Sequence, residues 1–137
     1  MGDVFDDDRY CFVCGEKNPF GLQLEPRGSN GKGYIEWTPE KRHQGYSGVV
    51  HGGLISTILD EAMAYAAMSV VGFCATAGIS VKFRRPVKTG VPVRVEAEVN
   101  QKRGRMVKLE AQVYQYGEEK ASGSATFISV PGERRKE

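Results

Sequence analysis

The sequence predicts an α+β fold in which one long helix packs against the apolar face of an antiparallel sheet. Residues 54–71 contain neither glycine nor proline and lie between Gly53 and Gly72, as expected of a single helix. Further along the chain, apolar and polar residues alternate with the period of a β-strand, and turn residues separate the alternating segments. Strands with one apolar and one polar face pair as antiparallel hairpins, and the helix can cover their apolar face.

Length, charge and cysteine content limit the class of protein. A chain of 137 residues has the length of one domain. Its 19 basic and 17 acidic residues nearly balance, which argues against nucleic acid as the main partner. The acidic start, MGDVFDDDRY, does not resemble a secretory signal, and two carboxylates interrupt the long apolar run, so we expect no membrane partner. Three cysteines fit a reducing compartment, and we therefore expect a cytoplasmic protein.

The N-terminal segment, residues 1–21, is rich in turn residues and contains the C-x-x-C pair Cys11 and Cys14. Such a pair is half of a zinc site. The second half is missing, because Cys74 stands alone near the end of the helix, although two subunits could each contribute a pair. A thioredoxin-like motif would open a helix in a βαβ unit, and none is evident. We predict no metal site.

Two short strands are predicted before the helix, at residues 22–25 and 33–38, with a turn at 28–31 between them. In the second strand Ile35 and Trp37 lie on one face and polar residues on the other. Residues 39–47 have the composition of a loop with at most one helical turn.

The helix carries three stripes of side chains at helical spacing. The first two are apolar, and Glu61 lies on the bulkier of them, where we favour a structural role. The third stripe is made of small residues and one aspartate: Gly53, Thr57, Asp60, Ala64 and Ala67. Packing alone would favour alanine at position 60, and burial penalises an ionised carboxylate. Asp60 is therefore a candidate for chemistry; the alternative is a hydrogen bond to a backbone amide or to an arginine across an interface.

The helix begins after His51, Gly52 and Gly53. Glycines at a helix start permit close backbone approach and leave N–H groups without helical partners. Those donors and the positive end of the helix dipole suit an anion or a carbonyl oxygen that gains charge. A plain turn has the same composition, so the three residues alone are a weak signal.

Four strands are predicted after the helix, at residues 79–84, 91–99, 107–113 and 120–130. The pairs Thr89-Gly90 and Arg103-Gly104, together with Gly117, are placed as hairpin turns between them. Residues 131–137 have the composition of a flexible charged tail.

The motif HQGYSGVVHGG at residues 43–53, followed by Asp60, resembles the hotdog-fold thioesterase superfamily. Within it, the spacing is most similar to the phenylacetate-degradation (PaaI) type and to the mitochondrial acyl-CoA thioesterase branch with its bacterial relatives. The segments TAGISVKFRRPVKTG and QKRGRMVKLEAQVY extend the resemblance over residues 18–130. It implies a hotdog domain at 22–130, in which an antiparallel sheet wraps round one long helix. It also implies a homodimer with active sites at the subunit interface, commonly paired into homotetramers.

The resemblance implies a role for each matching residue. Asp60 corresponds to the catalytic carboxylate, which acts as general base or as nucleophile. The N–H of Gly53, with Gly52 beside it, would polarise the thioester carbonyl, and His51 would orient that carbonyl or the loop. Thr76 of the other subunit would help to hold the attacking water.

Substrate contacts are expected from the same likeness. His43, Gln44 and Glu61 are taken as substrate-binding residues, although many members carry asparagine where this chain has Gly45. The phosphates of CoA favour arginine and lysine, and we assign them to Arg84, Arg103 and Arg105; solvated strand faces and turns are the alternative role for these basic residues.

The expected function is hydrolysis of an acyl-CoA thioester, with no cofactor apart from the CoA of the substrate. Two alternatives stay open on the same fold, an enoyl-CoA hydratase or dehydratase and a non-catalytic acyl-CoA-binding protein. A third is a metal-linked scaffold built on the C-x-x-C pair.

Overall fold

The computed structural model describes residues 4–134. One α-helix, α1, spans Gly52–Val71, and a short 3-10 helix spans Lys41–His43. The strands are β1 (Phe5–Asp7), β2 (Arg27–Ser29), β3 (Lys32–Trp37), β4 (Cys74–Phe83), β5 (Val93–Arg103), β6 (Met106–Gln115), β7 (Glu118–Ser129) and β8 (Gly132–Arg134).

Six strands form one antiparallel sheet in the order β2-β3-β5-β6-β7-β4, and α1 lies against this sheet. The first apolar stripe of the helix is buried in the concave face, where Ile55, Leu59, Ala62 and Ala66 are at most 2% exposed. Alternate residues of β5, β6 and β7 complete the core, as the period of two predicts. The predicted α+β architecture, one long helix against an antiparallel sheet, is confirmed.

The helix has the length and composition of a membrane span, with a mean hydropathy of 1.4. Core helices meet the same test. Here the apolar character is explained by the sheet, because seven of the helix residues are buried against it or beneath the N-terminal segment.

The first part of the predicted sheet is wrong in detail. Residues 22–25 form no strand; instead Leu22 and Leu24 donate backbone hydrogen bonds to the carbonyls of Phe12 and Val13, both at 2.8 Å. Strand β2 occupies Arg27–Ser29, so that residues 28 and 29 of the predicted turn belong to a strand, while Asn30 and Gly31 form the predicted turn before β3. All three of its residues are exposed at the sheet edge, so this strand has no alternation of burial that a sequence pattern could reveal.

The connection after β4 also differs from the prediction. Thr89-Gly90 is not a hairpin turn, because β4 pairs with β7 at the opposite edge of the sheet from β3. The connecting residues instead cross the helix start, where the amides of Thr89 and Gly90 donate to the carbonyls of Gly48 and Pro39. The predicted turns at Arg103-Gly104 and Gly117 do join hairpins.

The predicted tail is partly paired. Gly132–Arg134 form β8, which runs parallel to β1 with Phe5 opposite Gly132. The flexible charged tail expected at residues 131–137 is thus paired over this stretch, and its remainder, residues 135–137, lies outside the described residues.

Candidate active site

His43 is buried beneath the loop that precedes α1 and stabilises this loop. This side chain is only 6% exposed, its Nδ1 accepts a hydrogen bond from the Glu40 amide at 2.8 Å, and its ring lies 5.2 Å from the ring of Trp37. Burial lowers the pKa of His43, and the charge of Arg42 lowers it further. We expected His43 to contact substrate; the structure places it in the core instead, where its carbonyl accepts from the His51 amide at 2.9 Å.

Gln44 shapes the same loop. Its Oε1 accepts a hydrogen bond from the Gly48 amide at 3.0 Å, which closes the turn over residues 44–48. The side chain does not line the cavity described below. Gln44 is thus a residue that positions the loop, and its contact with substrate stays a prediction.

His51 caps the helix. Its backbone is extended, with φ −60° and ψ 131°, and its Nδ1 accepts from the Gly53 amide at 2.9 Å. The expectation that Gly53 offers a free N–H needs correction, since that donor is used within the chain. The amide of Gly52, one residue earlier, forms no hydrogen bond within residues 4–134. The unpaired donor predicted at the helix start is therefore present, but it belongs to Gly52.

A cavity of about 650 Å³ opens at this helix start. Gly52 and His51 line it together with two exposed aromatic side chains, Tyr46 and Phe83. Arg84 stands at the same cavity and pairs with Glu119 at 2.8 Å. The cavity thus combines an apolar wall, a free backbone donor and a cationic side chain.

Asp60 lies half-buried on the small-residue stripe of α1. Its Oδ1 accepts a hydrogen bond from the Thr76 hydroxyl at 2.7 Å. We expected Thr76 to act from another subunit, and the structure corrects this by pairing the two residues within one chain. Among the described residues no arginine or lysine forms an ion pair with Asp60, so the carboxylate is oriented by a neutral donor.

One chain does not bring Asp60 to the helix start. Eight residues separate it from Gly52, which corresponds to roughly 12 Å along the helix axis. Asp60 accordingly does not line the cavity that contains His51 and Gly52. The Asp60 carboxylate and the free Gly52 amide of one chain therefore do not share a cavity.

The three arginines assigned to the CoA phosphates also lie in different parts of the fold. Arg84 lies at the start of α1. Arg105 lies near its other end, because it donates to the Ser129 carbonyl at 3.0 Å. The hydroxyl of Ser129 in turn donates to the carbonyl of Val71, the last residue of α1. Arg103 lies in the same β5–β6 hairpin. A helix of 20 residues is roughly 30 Å long, so a single chain does not gather the three arginines in one phosphate site.

Glu61 faces away from the cavity, toward the N-terminal segment. Its carboxylate oxygens lie 3.8 and 3.9 Å from the Sγ of Cys11. Burial raises the pKa of Glu61 to about 7. The sequence offered no signal for this contact, because the two residues are 50 positions apart.

Comparison with known proteins agrees with the fold. A profile of the thioesterase superfamily matches residues 47–122, and the chain belongs to this family. The sequence identity to individual relatives is low. Acyl-coenzyme A thioesterase THEM4 of Xenopus laevis is 26% identical over 87 residues, which are 64% of this chain and 39% of that protein. The chain therefore matches well under half of that curated relative.

Solved structures give the same picture. Conserved protein PA5202 from Pseudomonas aeruginosa is 27% identical with a TM-score of 0.73, over 78% of this chain and 88% of that chain. A mutant of the phenylacetic acid degradation protein PaaI from Thermus thermophilus is 20% identical with a TM-score of 0.73, over 78% of this chain and 93% of that chain. The second likeness concerns the fold alone. The predicted hotdog fold and its similarity to PaaI-type proteins are confirmed.

Proposed function

We propose that the protein hydrolyses an acyl-CoA thioester to a carboxylic acid and CoA. The observation that carries this proposal is the half-buried Asp60 carboxylate, which is held by the Thr76 hydroxyl and has no cationic partner among the described residues. A carboxylate that is oriented on a helix face lined by small residues is suited to accept a proton from water. Membership of the thioesterase superfamily and the likeness to an acyl-CoA thioesterase support the substrate class.

The hydrogen bond from Thr76 engages Oδ1, which leaves Oδ2 of Asp60 to act. As general base, Oδ2 takes a proton from water while the water oxygen attacks the thioester carbonyl carbon. The C–S bond then breaks, CoA leaves as a thiolate that takes up the proton, and the acid is released. As nucleophile, Oδ2 itself attacks the carbonyl carbon, and the C–S bond breaks to give a mixed anhydride and the CoA thiolate. Water then hydrolyses the anhydride to the acid and the free Asp60 carboxylate, and the proton released goes to the CoA thiolate. Both routes need Asp60 ionised beside the carbonyl.

The helix start supplies the complementary half. Negative charge develops on the carbonyl oxygen during attack, and the Gly52 amide with the positive end of the α1 dipole can stabilise it. Because Nδ1 of His51 accepts from Gly53, a neutral His51 carries its proton on Nε2. His51 lines the cavity, so that this N–H would be a second donor for the same oxygen.

A homodimer would join the two halves. Strand β4 is an edge of the sheet and carries exposed apolar side chains, with Ile79 42% and Phe83 59% exposed. An unpaired apolar edge of this kind is suited to contact a second copy. We propose that two copies associate there, so that Asp60 of one faces the helix start of the other, and that such dimers pair into tetramers. Arg84 and Arg85 both line this cavity, and we assign Arg84 to a CoA phosphate.

The test replaces Asp60 by Asn and by Ala and assays saturated short, medium, long and aromatic acyl-CoA esters. CoA release should be followed by chromatography, because the three free cysteines of the chain would react with thiol reagents. General base catalysis contributes roughly 10²–10⁴ in rate, and we expect a loss in that range with an unchanged fold by circular dichroism.

Three outcomes would overturn the proposal. Near-normal hydrolysis by both variants would remove Asp60 from the mechanism. Hydration of an enoyl-CoA without CoA release would favour the hydratase alternative. Tight acyl-CoA binding by calorimetry with no turnover of any ester would favour a binding protein.

A further inference from the structure

The N-terminal segment brings two thiols to the middle of α1. The Sγ atoms of Cys11 and Cys14 and a carboxylate oxygen of Glu61 all lie within 4.8 Å of one another. None of the three members of this cluster lines the cavity at the helix start, and hydrolysis as proposed above uses none of them. The cluster therefore needs an explanation of its own.

The backbone of the turn after Cys11 can stabilise a negatively charged sulfur. The amides of Val13 and Cys14 point at the Sγ of Cys11, at 3.4 and 3.5 Å. The Gly15 amide donates to the Cys11 carbonyl at 2.8 Å, and a Cβ at position 15 would collide with the Cys11 backbone. Glycine is thus required for the tight turn that places both thiols on one side. Backbone N–H groups aimed at sulfur favour a thiolate over a thiol.

Glu61 supplies a third oxygen ligand from α1. It is half-buried, and within residues 4–134 it forms no ion pair with lysine or arginine. A carboxylate placed beside two thiols, without a cation, is costly to bury. A divalent cation bound between the three groups would remove that cost.

We propose that Cys11, Cys14 and Glu61 bind one Zn²⁺ ion, which fastens the N-terminal segment to α1. Thiolate and carboxylate ligands suit zinc. Zn–S and Zn–O bonds of roughly 2.3 and 2.1 Å in a tetrahedron place sulfur and oxygen about 3.6 Å apart, close to the 3.8 Å between Cys11 and Glu61.

Water would supply the fourth ligand. A polar cavity of about 380 Å³ borders Cys14 and Tyr65, and water could approach the ion from there. From the cysteines alone we predicted no metal site, because the missing ligand was sought among other cysteines. The fold supplies it from a glutamate of the helix.

The test is metal binding by the purified full chain, reduced with a phosphine and treated with chelator. Titration with Co²⁺ should reach one ion per chain, with thiolate-to-cobalt charge transfer and the strong visible absorption of tetrahedral cobalt; Zn²⁺ should displace it. Cys11→Ser and Cys14→Ser should abolish the spectrum, and Glu61→Gln should weaken binding at least about tenfold. Cys74→Ser and Glu16→Gln are matched controls outside the cluster and should bind as the wild type does.

A second measurement needs no variant. Zinc should slow alkylation of Cys11 and Cys14 by N-ethylmaleimide, measured by mass spectrometry, while the alkylation rate of Cys74 in the same chain stays constant. Failure of the reduced wild type to bind either metal, equal protection of all three cysteines, or unchanged affinity in Glu61→Gln would each overturn the site. None of these outcomes depends on whether the protein hydrolyses thioesters.

Discussion

The hydroxyl of Thr76 touches the carboxylate on which the proposed chemistry depends. A hydrogen bond to a charged group contributes roughly 1.5–3 kcal/mol, and about 1.4 kcal/mol corresponds to tenfold in rate. Replacing Thr76 by Val removes the donor that reaches Oδ1 of Asp60 at 2.7 Å while keeping the side-chain shape. We expect kcat for the best acyl-CoA ester to fall about 10–100-fold, with little change in KM.

Thr76→Ser is the control for this prediction, since it restores the hydroxyl on a smaller side chain. It should recover most of the lost rate. Thr76 is exposed, so neither variant should shift the midpoint of thermal unfolding by much. Equal losses in the Val and Ser variants would mean that packing at position 76, and not the hydrogen bond, matters.

His43 predicts how stability depends on pH. Its pKa in the folded protein lies below the ordinary value of 6.5, because the ring is buried and Arg42 is near, while Glu40 acts weakly in the other direction. Below pH 6.5 the unfolded chain therefore binds a proton that the folded chain resists. The free energy of unfolding should fall as pH drops from 6.5, by at most roughly 1.4 kcal/mol per pH unit from this residue.

His43→Asn checks this, because an amide oxygen can accept from the Glu40 amide but cannot titrate. The variant should be less stable at pH 7.5, because the substitution removes the ring that packs against Trp37. In urea unfolding, its free energy of unfolding should nevertheless decline less steeply between pH 7.5 and 5 than that of the wild type. A slope unaffected by His43→Asn would assign the pH dependence to other groups.

At the scale of elements, substitutions of Gly52 at the start of α1 can distinguish the effect of its backbone N–H from the effect of an added side chain. Gly52 is the first helical residue, and His51 before it is extended, which is the conformation that a following proline requires. Proline is favoured at this position. Gly52→Pro should therefore keep the helix but delete its free N–H, and the rate should fall roughly 10²–10³-fold.

Gly52→Ala is the matched control, because it keeps the N–H and adds a methyl group about 3.4 Å from the Phe83 ring, an ordinary contact. It should lose far less activity than Gly52→Pro, at similar thermal stability. If both variants lose the same activity, the methyl-sized obstruction and not the amide explains the effect.

The elements that periodicity predicts best are those with one buried face. The helix and strands β5 to β7 were predicted to within a few residues because each packs one stripe or face on the core. The edges were not, since β2 is exposed throughout and β4 buries little. The sequence wrongly predicts a hairpin at Thr89-Gly90, although β4 and β5 are not neighbours in the sheet. A turn with glycine has the same composition whether or not the two strands that it connects pair with each other.

The candidate site shows the same limit. The small-residue stripe singled out Asp60, and the glycines marked the helix start, since both are local patterns. Which amide is free depends on where the His51 ring turns, and the contact of Glu61 with Cys11 depends on the fold of a distant segment. Neither is encoded in spacing along the chain.

At the scale of the whole molecule, the proposed mechanism requires a second copy, because the Asp60 carboxylate and the free Gly52 amide of one chain lie roughly 12 Å apart along α1. If a second copy completes each site, the two halves can be inactivated on different chains. We predict that Asp60→Ala and Gly52→Pro, each nearly inactive alone, regain activity when co-expressed. A mixed dimer then holds one site with both halves intact and one with neither.

Random mixing gives mixed dimers in half of the population, so the recovered rate should approach roughly a quarter of the wild-type value per chain. The measurement is turnover of the best acyl-CoA ester by the co-purified pair, with differently tagged chains to isolate mixed dimers and each variant alone as control. Sites built within single chains predict a different result, because every site in the mixture would then lack one half. A mixed dimer that is formed and folded but no more active than its parents would therefore place Asp60 and Gly52 in the same chain's site and refute the shared arrangement.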